Sequence, residues 1–101
     1  MSDINIIRSK VSEEELLCQL AEEANELAHA ALKLRRAITG KNPTPVSESD
    51  ARASLYEEIA DVELCQWALR LSADSLVAIN EIMDTKMKRW VKRLGGIQDD
   101  H

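Results

Sequence analysis

The run Leu16-Leu17-Cys18-Gln19-Leu20-Ala21-Glu22-Glu23-Ala24-Asn25-Glu26-Leu27-Ala28-His29-Ala30-Ala31-Leu32-Lys33-Leu34 decides the fold. Leu16, Leu20, Leu27, Ala30 and Leu34 recur at four- and three-residue steps, the period of a helix with one buried face. Outward from it, Ser12 and Glu15 form an S-x-x-E capping box at the start, which predicts a helix from Val11 to Ile38. Ala21, Ala24, Ala28 and Ala31 run beside the stripe, small enough to let a partner helix approach closely. Thr39-Gly40 stops the helix, and residues 39–47, with Pro43 and Pro45, make a loop.

Ser47 and Asp50 cap a second predicted helix that runs to about Ser72. It carries two apolar stripes: Ala51, Leu55, Val62, Cys65 and Leu69 on one face, and Tyr56, Ala60, Leu64, Trp67 and Leu71 on another. A helix apolar on two faces is buried on two sides, which a three-helix monomer hardly supplies. A third helix is expected from Ser72 or Asp74 to the Gly95-Gly96 stop, with Leu76, Ile79, Met83, Met87, Trp90 and Leu94 inward. The expected fold is all-α, a single domain over residues 1–101 with three main helices per chain. Homo-oligomerisation to a dimer or tetramer would complete a four-helix-bundle-type core.

The totals agree with that class. In 101 residues, 45% are hydrophobic and 31% charged, with three glycines and two prolines, which excludes collagen, disorder and a disulfide scaffold. The three aromatics are Tyr56, Trp67 and Trp90, so the core is aliphatic and thin. A net charge of −5 disfavours a nucleic-acid polymer as partner. No segment is long and apolar enough for a signal peptide or a membrane span, so a cytoplasmic protein is expected. Cys18 and Cys65 lack metal or redox spacing and read as buried free thiols.

The informative feature is a pair of acids where periodicity calls for Leu or Ile. The first seam steps Leu16, Leu20, Glu23, Leu27; the second steps Ala51, Leu55, Glu58, Val62. A carboxylate in such a seam costs several kcal/mol unless compensated. Each has an acidic neighbour three residues on, Glu26 and Asp61, on the same helix face. If the helices pack antiparallel, Glu23, Glu26, Glu58 and Asp61 converge, and hard oxygen-seeking ions such as Mg²⁺ or Mn²⁺ would relieve their repulsion. Glu13, Glu14, Glu48 and Glu81 read as solvated surface, while Glu22 and Glu57 read as hydrogen-bonding partners of the liganding carboxylates or as plain surface.

Glu26 and His29 also form one Glu-x-x-His, the spacing of di-iron carboxylate proteins, but no second such motif follows. Lys86, Arg89 and Arg93 lie three and four residues apart on the third helix. They read either as contacts for a phosphate tail or as a basic helix end favoured by the dipole. Neither GxxxxGK[ST] nor GxGxxG occurs, and no nucleophile set can be assembled.

Glu22-Glu23-Ala24-Asn25-Glu26 followed by Glu57-Glu58-Ile59-Ala60-Asp61 resembles the paired EExxE and EExxD signature of MazG-type all-α NTP pyrophosphatases. Dimeric dUTPases and dCTP pyrophosphatases belong to the same superfamily. The resemblance runs from about Glu15 to Arg93, and Lys86-Met87 with Arg93 resembles the family's next basic stretch. It implies Mg²⁺-dependent cleavage of a (d)NTP between the α and β phosphates, in nucleotide-pool house-cleaning. It also implies Glu23, Glu26, Glu58 and Asp61 as catalytic metal ligands, and Lys86, Arg89 and Arg93 as phosphate contacts. The interval between the motifs is longer than in compact members, and Trp90 stands where relatives often carry a polar residue. The competing class is a non-enzymatic helical oligomer that binds a partner, with its acids hydrated.

Overall fold

The computed structural model describes residues 2–40, 46–69 and 73–96. Four helices follow one another, α1 (Asp3–Lys10), α2 (Glu13–Thr39), α3 (Glu48–Ala68) and α4 (Ala73–Arg93), and no strand occurs among the described residues. The chain divides into two compact units, Met1–Arg70 and Leu71–His101.

The first unit is an α2/α3 hairpin with α1 packed on it. Local chemistry sets its limits. Ser12 is extended and its Oγ accepts from the Glu15 backbone N–H at 3.1 Å, while Ser47 Oγ accepts from Asp50 N–H at 3.0 Å. Each satisfies one of the free donors at a helix start. Gly40 ends α2 at φ 70°, a left-handed conformation that glycine adopts without a Cβ clash. The 41–45 part of the predicted Pro-containing loop lies outside the described residues. α3 ends at Ala68, short of the expected Ser72.

The start of α2 lies beside the end of α3, so the hairpin is antiparallel, the condition on which convergence of the seam acids depended. Leu16, Ala30 and Leu34 of α2 are buried, as are Ala51, Cys65 and Ala68 of α3. The other seam positions, Leu20, Leu27, Leu55 and Val62, are partly covered. The core is thin: among the described residues no large side chain is fully buried. Of the second stripe, Tyr56, Ala60, Leu64 and Trp67 face solvent in the single chain, Tyr56 59% and Trp67 68% exposed, and Leu71 lies outside the described residues. The alanine row of α2 (Ala21, Ala24, Ala28 and Ala31) is exposed too. Cys18 corrects the expectation of two buried thiols: it is exposed, and only Cys65 is buried.

Sequence periodicity missed α1. Ile4 and Ile7 are partly covered one turn apart, but eight residues are too few to hold a helix alone, and Ser2 makes no side-chain cap bond. Tertiary contact supplies what is missing. The Arg8 guanidinium donates through both Nε and Nη2 to the Trp67 carbonyl in the last turn of α3. Carbonyls there have no intrahelical partner and carry the negative end of the helix dipole.

The second unit contains α4, which extends to Arg93 and is closed by Gly95 and Gly96 at φ 96° and 67°. None of its residues is buried, and Leu76, Met83, Met87 and Trp90 of its apolar stripe stay exposed. No helix among the described residues is long and apolar enough to cross a membrane.

Candidate metal centre

Antiparallel pairing of α2 with α3 brings their displaced acids to one level. Carboxylate oxygens of Glu23, Glu58 and Asp61 lie within 4.8 Å of one another. Glu23 and Glu58 are partly buried and Asp61 is exposed, so the group sits at the seam's edge with one side open. Glu26, the fourth acid of the sequence pattern, stands outside this group with its side chain in solvent. Glu22 and Glu57 are exposed as well.

Glu58 is the strained member. Its Oε2 is shut off from solvent and accepts no hydrogen bond. Burial, followed by the like charges of Asp61, Glu23, Glu26 and Glu57, raises its carboxyl above the ordinary glutamate value. Proximity therefore makes Glu26 and Glu57 part of the field even though they stand apart from the converging oxygens. The Cys65 thiol, one turn along α3 from Asp61, is pushed up by burial and by the charges of Glu23 and Asp61.

No basic side chain pairs with these acids among the described residues; the ion pairs present are Arg52–Glu48 and Lys88–Asp84, both exposed one-turn pairs. The donor set is all oxygen, which suits a hard divalent cation over a thiophilic one. An orphaned, water-excluded carboxylate oxygen inside that set is the observation that fits a cation there. His29 is exposed and outside the group, so the second ligand type a di-iron site would draw on is not brought to it.

Two features escaped the sequence reading. Gln19 Nε2 donates to Glu23 Oε1 at 2.8 Å, a contact its four-residue spacing on the seam side of α2 could have signalled. A cleft of about 440 Å³ opens beside the carboxylates, and Glu23 and Asp61 form part of its wall. Its apolar wall comes from Ile7 and Val11, Leu16 of α2, and Leu64 and Ala68 of α3. Nothing in the pattern of α2 and α3 announces that cleft, because α1 and its C-terminal end complete it.

On α4, Lys86, Arg89 and Arg93 share one shallow cleft of about 390 Å³ around Trp90. The three predicted phosphate contacts thus lie on one helix face. Trp90 is 61% exposed, so the inward position expected for it is not met within this chain. No protein-family model, no curated protein and no solved structure matches the chain.

Proposed function

We propose that the chain is a Mg²⁺-dependent nucleoside triphosphate pyrophosphohydrolase, with Mn²⁺ as a substitute, that releases a nucleoside monophosphate and pyrophosphate. The observation that carries the reading is Glu58 Oε2, unpartnered and shut off from water within 4.8 Å carboxylate convergence with Glu23 and Asp61. A fold does not keep such an arrangement cheaply unless a ligand compensates it. The resemblance of the two acidic motifs to MazG-type enzymes points the same way.

Glu23, Glu58 and Asp61 would hold the cation, with Glu26 adding its negative charge to the field around them. The bound ion would supply charge neutralisation at the phosphate oxygens and acidity to a water. The chain's own part is to orient: Gln19 fixes Glu23 through its 2.8 Å hydrogen bond, and the seam leucines hold the two helices in register. One carboxylate of the group would accept a proton from the attacking water, and Lys86, Arg89 and Arg93 in the second unit form by themselves a basic cluster that suits a phosphate group.

The assembly is a homodimer or tetramer in this reading. Support comes from the thin core and from the exposed Tyr56, Leu64 and Trp67 on α3, large side chains seldom left together in water. Those same surfaces favour the second reading, a helical partner-binding module without activity. The deciding experiment is pyrophosphate release from a panel of canonical and modified NTPs and dNTPs with Mg²⁺, wild type against Glu58→Gln. Release by wild type alone supports the enzyme; no release, with Mg²⁺ also failing to raise the melting temperature, leaves the partner module.

A further inference from the structure

The 440 Å³ cleft between α1, α2 and α3 shares Glu23 and Asp61 with the carboxylate group, so it opens directly onto the place where a cation-bound polyphosphate would sit. We propose that this cleft receives the nucleoside part of the substrate and that Gln19 reads the edge of the base. The proposal rests on the pyrophosphohydrolase reading and adds to it the place and means of base selection.

Three observations carry it. The lining is mainly apolar, from Ile7, Val11, Leu16, Leu64 and Ala68, with a few polar groups, of which Gln19, Glu23 and Asp61 lie together, the make-up of a small-molecule site. Its charged groups, Glu15, Glu23 and Asp61, are all acidic, so the cleft repels bare phosphate and tolerates the uncharged base and sugar. Gln19 is the one neutral polar side chain there, and it is oriented. A carboxylate oxygen only accepts, so the 2.8 Å contact with Glu23 Oε1 fixes which end of the amide is nitrogen. The bond uses one N–H, so the carboxamide keeps an oxygen acceptor and a second N–H donor side by side, which is what a base edge requires. Ile7 of α1 and Val11 just after it also line the cleft, and the Arg8 bond to the Trp67 carbonyl helps to hold that segment against α3.

The test measures steady-state pyrophosphate release over the four dNTPs and four NTPs at saturating Mg²⁺, for wild type, Val11→Trp and Gln19→Leu. Val11→Trp fills the cleft from a wall residue that is not one of the carboxylates; it should raise KM roughly tenfold or more for every nucleotide while leaving kcat within about twofold. Ile7→Trp obstructs the same space and takes over the test if Val11→Trp fails to fold. Gln19→Leu should compress the spread of kcat/KM among bases by about tenfold at saturating Mg²⁺, beside any rise in Mg²⁺ half-saturation from the loss of its bond to Glu23. If wild type is active and the obstructing variants leave KM unaltered, the nucleoside binds elsewhere and the proposal falls while the activity stands. A Gln19→Leu change confined to Mg²⁺ half-saturation, with the base ranking intact, would reduce Gln19 to a support for Glu23. Wild type releasing no pyrophosphate from any nucleotide overturns the activity, and the base site with it.

Discussion

Glu23 of α2 and Glu58 of α3 hold carboxylate oxygens within 4.8 Å of each other across the hairpin seam, and no basic side chain among the described residues stands between them. Two like charges at that distance repel by about 1 kcal/mol in bulk water and by several in a partly dry seam. The hairpin carries that repulsion in its central layer, where a pair of leucines would have stabilised it.

Relief of the repulsion should be visible as a melting shift. Mg²⁺ or Mn²⁺ at millimolar concentration is expected to raise the melting temperature of the wild type, and Na⁺ at equal ionic strength is not. Glu58→Gln should melt higher than wild type without metal and lose the metal response. Scanning calorimetry of both proteins with EDTA and with Mg²⁺ checks this; a wild type indifferent to divalent ions would remove the case for the centre.

The pH dependence has a definite sign. Glu58 binds its proton more tightly in the folded chain than in the unfolded one, so its contribution to stability is fully present below the ordinary glutamate value. It is lost as pH rises through the raised folded value. Metal-free protein should therefore lose stability across that window in urea titrations, and Glu58→Gln should flatten the slope. Because protons and cations compete for the same oxygens, Mg²⁺ should bind more tightly as pH rises through the window.

Arg8→Ala removes both guanidinium contacts to the Trp67 carbonyl. The cost should be about 1 kcal/mol, since the site is exposed to water. The informative readout is hydrogen exchange: amides of Ile6 to Lys10 should lose protection while those of Ala24 to Leu34 keep it. Equal loss in both segments would mean that α1 is integral to the hairpin and not a separately opening unit.

Trp67→Glu combined with Tyr56→Glu places charge on the exposed stripe of α3 without touching the seam. Sedimentation should show an assembled wild type and a monomeric double variant with unchanged helix content. A wild type that sediments as a monomer at high micromolar concentration would refute self-association through this face.

Leu34, 6% exposed at the far end of the hairpin, tests the core itself. Leu34→Ala should cost about 2–3 kcal/mol in chemical denaturation, near the low end for buried leucine because the surrounding core is thin and can collapse.

The sequence by itself determined the helical class, the caps at Ser12 and Ser47, the stop at Gly40 and the faces that meet, since all of these follow from local periodicity and backbone chemistry. It also singled out Glu23 and Glu58, because an acid in an apolar seam is visible as a break in the period. Tertiary structure alone decided which neighbours join them. A three-residue step carries a side chain about 4.5 Å along the helix and about 60° round it, to the border of the buried face. Whether such a side chain reaches the seam depends on how each helix is rotated against the other, and packing places Asp61 in the group and Glu26 outside it. The same holds for α1, too short to be stable through its own hydrogen bonds and held instead by Arg8 against a carbonyl 59 residues away.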